Sequence, residues 1–223
     1  KKEQDAWNKR IEKITKDIGN QESIIARIQD NALYKNAFEW RFEFPEVLNE
    51  KGEFEGFDVI IGNPPYVQLQ ANGGGLAKLY ENQGYETFAR TGDIYCLFYE
   101  KGYHLLRPNG LLMFITSNKW MRAGYGEATR KFLSEKTNPL QLIDFAGQKV
   151  FDAATVDVNI LLLSKQKNLG KTAACIVKEK CTDNLSNYII QHTTVCNFNR
   201  SDSWVILSVI EQRIKDKIER IGI

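Results

Sequence analysis

The run Asn63-Pro64-Pro65-Tyr66 is where residue types and spacing in this sequence point most directly to chemistry. Two consecutive prolines lock φ twice and withhold two N–H donors, so the turn they make is stiff and its carbonyls stand outward as fixed acceptors. Asn63 adds a side-chain carbonyl beside them, and Tyr66 a flat aromatic face. Such a set suits a planar ring bearing an exocyclic amino group. The aromatic face stacks on the ring while the two acceptors hold the amino hydrogens. Those hydrogen bonds draw the nitrogen lone pair out of conjugation and aim it at an electrophile. Pro64-Pro65 alone would also serve as a rigid strand exit, but the Asn before and the Tyr after favour the chemical reading.

The elements around this turn follow from hydrophobic periodicity. Trp7, Ile11, Ile14, Ile18, Ile25 and Ile28 recur mostly three or four apart, which predicts an amphipathic helix with Gly19-Asn20 as its weak point. Residues 38–44 alternate apolar and charged side chains, as a half-buried strand would, and Pro45 closes them. Phe57-Asp58-Val59-Ile60-Ile61 is a nearly continuous apolar run, typical of a strand covered on both faces in a parallel sheet, and it runs directly into Asn63. Gly73-Gly74-Gly75 predicts a mobile loop. From Asp93, read as a cap, the residues Ile94, Leu97, Phe98, Leu105 and Leu106 trace a helical face. Residues 111–116, 140–145 and 156–163 read as further strands, and 124–133 as loop and helix. Beyond Lys165 lysines crowd a polar stretch, and Trp204, Leu207, Ile210, Ile214, Ile218 and Ile221 restore a helical pattern. Strand, helix, strand, helix, strand is the order of a doubly wound α/β sheet, whose chemistry gathers beyond the carboxyl ends of the strands. Asn63 stands at such an end.

Composition narrows the alternatives. With 43% hydrophobic and 26% charged residues over 223, the chain can bury a globular core. No run of about 18 apolar residues suggests a membrane span, and a cytoplasmic setting is expected. A formal charge of +2 says little about partners, so any nucleic-acid affinity must come from local basic clusters. The lysines after Lys165 suit either a solvated face or DNA phosphates. Cys96, Cys175, Cys181 and Cys196 form no C-x-x-C pair, and His104 and His192 do not cluster with them, so free thiols are expected and no metal site. No clustered carboxylates with a lysine suggest nuclease chemistry.

The four-residue turn resembles the catalytic loop of the amino-methylating DNA methyltransferases, which use S-adenosylmethionine. Residues 42–47, 56–62 and Ser117-Asn118-Lys119-Trp120-Met121 are similar to segments of the Eco57I-like branch of bacterial restriction–modification enzymes. The resemblance covers residues 38–165. It implies a partial doubly wound, Rossmann-like methyltransferase sheet, an adenine N6 amino group held by the Asn63 side chain and the Pro64 carbonyl, and Tyr66 stacked on a flipped base. Pro65 would shape the loop, with Asn63 and Pro65 lining the side from which the methyl arrives. The segment Val150 to Val156 resembles a later family motif whose aromatic packs on the base from the other side, which implies Phe151 as a second base contact, although a Phe before a strand is also common core filler. Trp120 is expected to pack inside. No Pro-Cys dipeptide supports a thiol route to cytosine C5.

A glycine-rich cofactor turn should precede this loop, and none does: Gly124-Tyr125-Gly126 comes after the loop, and Gly73-Gly74-Gly75 follows no strand. The chain also opens on Lys1-Lys2 with no apolar signal core. The expectation is a piece of a larger enzyme: residues 1–50 an N-terminal helix and lead-in strand, 51–168 the catalytic half of the methyltransferase domain, 169–223 the start of a DNA-recognition region or linker. Double-stranded DNA and S-adenosylmethionine are the expected partners of the parent. Without its missing neighbours, the strand at 57–61 becomes a sheet edge. It is expected to be covered by the N-terminal helix, by the strand near 38–44, or by another copy of the chain. Two alternatives stay open: a protein glutamine methyltransferase, and a non-catalytic DNA-binding or assembly fragment.

Overall fold

The computed structural model describes residues 2–29, 38, 43–151, 156–178 and 184–222. The chain divides into two units, residues 1–45 and 46–223. In the first, helix α1 (Lys2–Gln29) runs unbroken through Gly19-Asn20. A single helical glycine costs only about 1 kcal/mol relative to alanine, too little to divide a helix of this length. Every side chain described on α1 is exposed, including Trp7, Ile11, Ile14 and Ile18. The predicted strand at 38–44 falls largely on residues 39–42, outside the described residues; the Phe38 and Phe44 rings lie 6.1 Å apart.

The second unit is a single mixed sheet with helices around it. Its elements are β1 (Phe57–Gly62), α2 (Ala71–Tyr80), α3 (Tyr95–Leu105), β2 (Leu106–Ser117), α4 (Glu127–Lys136), β3 (Asn138–Asp144), β4 (Val158–Ser164), β5 (Thr172–Ile176), α5 (Leu185–His192), β6 (Thr194–Cys196) and α6 (Val209–Ile221). The sheet order is β1-β2-β4-β3-β5-β6. β1 and β2 run parallel, as do β3 and β5, whereas β4 lies antiparallel between β2 and β3. Helices α2 and α3 join β1 to β2, the kind of crossover a parallel pair needs; between β3 and β4 no helix is present among the described residues, and the chain returns antiparallel. β5 and the short antiparallel β6 extend this same sheet, so residues 169–223 contribute two strands to it.

The free side of β1 pairs with no strand among the described residues, and Val59 and Ile61 are 50% and 67% exposed. Gly73 and Gly74, with φ of 79° and 76°, together with Asn72 at 51°, make a left-handed turn inside α2 where a mobile loop was expected. Glycine signals permission for positive φ, and the chain uses it here to turn sharply toward helix. On α3 the buried face carries Tyr95, Cys96, Leu97, Tyr99 and Glu100, while Phe98, expected inside, is exposed. Glu100 is buried because its carboxylate accepts Thr87 N and Thr87 Oγ1, each at 2.8 Å, and Glu86 N at 3.1 Å. Buried charge is tolerated where its acceptor capacity is filled in this way.

Trp204, read from sequence as the first residue of a helical stripe, lies outside α6. That helix begins after Ser208, whose Oγ accepts Glu211 N while the Glu211 carboxylate accepts Ser208 N, a reciprocal capping box. The cap fixes the start at Val209 and leaves Trp204 free to enter the core, where it meets Trp120, buried as expected.

Candidate functional site

Strands β1, β2, β3 and β5 all point the same way, because β2 and β3 are each antiparallel to the β4 that separates them. Their carboxyl ends therefore share one edge of the sheet. That edge gathers the turn after β1 (residues 63–66), the turn after β2 (118–122) and the segment between β3 and β4 that carries Phe151.

Asn63 and Pro65 are exposed, Pro64 is buried, and Tyr66 is half-buried. A buried proline between two exposed neighbours anchors the turn while leaving the Asn63 side chain accessible. Tyr66 is tied from below: its Oη donates to the Ile115 carbonyl of β2 at 3.3 Å. Its ring stands perpendicular to that of Tyr95, with centroids 6.2 Å apart. Burial raises the Tyr66 pKa, so the phenol stays neutral and remains a donor. The exit from the turn is also braced. Ile94 N donates to Val67 O and Leu69 N to Gly92 O, both at 2.9 Å, and Gln68 bridges to Asp93.

Phe151 is half-buried. Tyr66 and Phe151 both pack against one apolar cluster, formed by Ile143, Phe145, Val158, Cys175, Val177 and Tyr188. The two aromatics singled out from sequence are thus brought to the same patch of core. Residues 152–155, which follow Phe151, lie outside the described residues.

Several groups at this edge gave no signal in the sequence. Asp144, at the end of β3, is 1% exposed, and it joins two turns. Its carboxylate accepts Asn118 Nδ2 at 2.8 Å and Ala146 N at 3.0 Å, with Arg122 Nη2 at 3.4 Å. Asn118 lies in a segment already noted for its resemblance, but nothing in its spacing foretold a partner 26 residues away. Asp93 is not a cap: α3 has no side-chain cap, and the Asp93 carboxylate accepts Tyr125 Oη at 2.9 Å instead. Gly126, in the discounted Gly124-Tyr125-Gly126 segment, packs so closely on the Trp120 carbonyl that an added Cβ would sit 1.9 Å from that oxygen. Its glycine serves backbone packing.

Cys96, Cys175 and Cys196 are buried. Burial pushes the Cys96 thiol up to about 12, so it is no nucleophile near neutral pH. No helix among the described residues is long and apolar enough to cross a membrane.

Comparison with known proteins bears on this edge. The family model described as Eco57I restriction-modification methylase matches residues 1–151. The type II restriction enzyme and methyltransferase RM.Eco57I of Escherichia coli is 27% identical over 225 residues, covering 93% of this chain and 22% of that protein. The type II methyltransferase M.BanIII of Aneurinibacillus aneurinilyticus is 33% identical over 126 residues, 55% of this chain and 20% of that protein. The chain thus spans about a fifth of the length of these relatives. Among solved structures, a type I restriction-modification methyltransferase subunit from Streptococcus thermophilus superposes with a TM-score of 0.50 at 16% identity, over 65% of this chain and 35% of that one. A nuclease-deletion mutant of the type ISP restriction-modification enzyme LlaGI gives 0.51 at 17% identity, over 67% and 15%. These two likenesses establish the α/β methyltransferase fold.

Proposed function

Because this chain belongs to the Eco57I restriction-modification methylase family, we propose that it is the base-handling part of a site-specific N6-adenine DNA methyltransferase in a type II restriction–modification system. The observation that carries this reading is the edge at the end of β1. There Asn63 is accessible, the turn is braced on both sides, and Tyr66 shares an apolar cluster with Phe151. An adenine buried in a duplex cannot reach such a turn, so the base rotates out of the stack first. Asn63 Oδ1 and the Pro64 carbonyl then accept the two N6 hydrogens, and Tyr66 and Phe151 hold the ring. S-adenosylmethionine supplies the methyl group in the parent enzyme. Among the described residues no strand leads into a glycine turn that would cradle its nucleoside, and Gly126 is committed to Trp120. We read this chain's part as the handling of the acceptor base, with Asn63 and Pro65 facing the incoming methyl. Residues 169–223, with exposed Lys171 and Lys178, are read as the start of the DNA-recognition region.

The test is methyl transfer by the protein that carries this chain at full length, supplied with labelled S-adenosylmethionine and adenine-containing duplex DNA. Labelled N6-methyladenine is the expected product; label on protein glutamine, or none at all, overturns the reading. Residues 1–223 alone are expected to bind S-adenosylmethionine weakly or not at all in calorimetry, and tight stoichiometric binding would contradict that division of labour.

The edge of β1 that pairs with no strand among the described residues belongs to the same reading. An apolar strand with a free side tends to pair with another chain, and self-association of residues 1–223 through it is expected. Ile61→Lys should then shift the sedimenting species toward monomer. A wild-type chain already monomeric at high micromolar concentration would rule it out.

A further inference from the structure

We propose that Tyr95 is a positioning residue for Tyr66, held in place by a hydroxyl chain that runs through Tyr125 to Asp93. The inference rests on the reading of Tyr66 as the base-stacking ring.

Tyr95 sits in the first turn of α3 and is fully buried, with its ring perpendicular to that of Tyr66. A buried phenol must find a hydrogen-bond partner. Tyr95 Oη finds Tyr125 Oη at 2.8 Å, and Tyr125 Oη in turn reaches Asp93 Oδ2 at 2.9 Å. The direction of the chain follows from the donor inventory. Tyr125 donates to the Asp93 carboxylate, and its oxygen is left to accept the proton of Tyr95. Burial raises the pKa of both phenols, which keeps each a donor across the working range of pH.

The chain closes on the loop it serves. Asp93 is 8% exposed, and its backbone bridges to Gln68, two residues beyond Tyr66. A circuit therefore runs from Tyr66 to Tyr95, Tyr125 and Asp93 and back to the exit of the same turn. Tyr125 is placed in that circuit by the close approach of Gly126 to Trp120 and by Gly92, where a Cβ would come 3.3 Å from Tyr125 Cδ2. The Gly124-Tyr125-Gly126 segment thus acquires a purpose: it delivers a hydroxyl to the back of the site.

Tyr66 is held by Oη on Ile115 O, by its ring against Tyr95 and by the apolar cluster it shares with Phe151. With all three in place the ring has one plane, and an incoming base stacks on a surface already oriented. When Tyr95 shifts, the ring loses its edge-on support and can tilt about its own hydroxyl. Orientation of this kind is worth large factors in rate, and a small misplacement can cost up to about 100-fold.

The experiment uses the full-length protein, with Tyr125→Phe and Tyr95→Phe, each of which keeps the ring and deletes one hydroxyl, beside Tyr66→Ala. DNA duplexes carry adenine, or 2-aminopurine at the target position as a fluorescent reporter of stacking. Tyr66→Ala is expected to abolish transfer. Each Phe variant should lower kcat by roughly 10-fold with KM for DNA unchanged, and should give brighter 2-aminopurine emission, the mark of a base that flips but stacks poorly. If Tyr66→Ala abolishes transfer while both Phe variants match the wild type in kcat and emission, the positioning role is wrong and the stacking role survives. If Tyr66→Ala itself transfers normally, the stacking role falls and takes this inference with it. Should Tyr125→Phe fail to fold by circular dichroism, Tyr95→Phe, which breaks the same bond from the other side, decides the matter.

Discussion

If the proposed reading holds, Asn63→Ala should lower single-turnover methyl transfer to adenine by roughly 100- to 1,000-fold, the loss expected when one preorganised hydrogen-bonding partner of a transition state is removed. The amide is not holding up the fold. Its side chain is exposed and donates to or accepts from no group among the described hydrogen bonds, so its removal should change stability by no more than about 0.5 kcal/mol. On the proposed reading its work begins only when an amine arrives. In the ground state the adenine nitrogen is conjugated with its ring and makes ordinary hydrogen bonds. As the methyl approaches, the nitrogen pyramidalises and its hydrogens become more positive, so an acceptor at Asn63 gains strength along the reaction coordinate. An interaction that tightens toward the transition state acts on kcat, leaving KM for DNA little changed. Asn63→Asp keeps an acceptor oxygen at the same reach and should retain more activity than the alanine variant. Rapid-quench kinetics with labelled donor measure all three proteins. An alanine variant within about threefold of wild type, far short of the expected loss, would remove Asn63 from the mechanism.

The site turn was legible in the sequence because everything that makes it is local. An apolar run supplies the strand, two prolines supply the stiffness, and the flanking Asn and Tyr supply the groups on which the proposed chemistry rests. Strands at 57–61, 111–116, 140–145 and 156–163 were legible for the same reason, and they agree with β1 to β4 within a few residues at most of their ends. Their arrangement was not. Hydrophobicity says that a strand is buried and nothing about its neighbour, so the insertion of β4 between β2 and β3 had no signal. β5 was hidden by its composition: Thr172-Ala173-Ala174-Cys175-Ile176 is short and flanked by lysines, and its burial comes from β3 alongside it. The polar bracing of the site was hidden by distance along the chain. Asp93 and Tyr125 are 32 residues apart, and Asn118 and Asp144 26, so no window that reads periodicity contains both members of either pair. Glu100 and Tyr99, buried on α3, defied polarity counting because their partners, Thr87 and Thr116, come from elsewhere. Phe151 was singled out only through resemblance. Phe151 stands before a strand like many core residues, and its nearness to the cluster that also holds Tyr66 is a property of the fold.

Trp204→Ala should be the most damaging single truncation in the second unit, costing about 3–5 kcal/mol. Trp204 is 1% exposed. Its indole stacks on Phe198 with centroids 4.6 Å apart and meets Trp120 edge-on at 5.2 Å, and its Nε1 donates to Arg200 O. Its backbone N donates to Met121 O at 2.8 Å, within the turn that follows β2. Arg130 binds the same two segments from the other side: Nη1 donates to the Trp120 carbonyl at 2.6 Å and Nε to Ser201 O at 2.8 Å. The stretch around Trp204 is thus a clasp on the turn that holds Asn118 and Arg122. An alanine leaves a cavity the size of an indole between two rings that cannot close it, and the neighbours relax only partly. At about 2–4 °C per kcal/mol for a unit of this size, the melting temperature should fall by on the order of 10 °C. The consequence reaches the site, since a loosened clasp frees Trp120 and with it the backbone against which Gly126 seats Tyr125. The segment beyond residue 168 then has a structural duty in the sheet in addition to any contact it makes with DNA, and removing residues 197–223 should leave an aggregating protein. Thermal unfolding of Trp204→Ala at the wild-type temperature would show that the clasp carries no weight, and that the sheet ending at Asn63 stands without it.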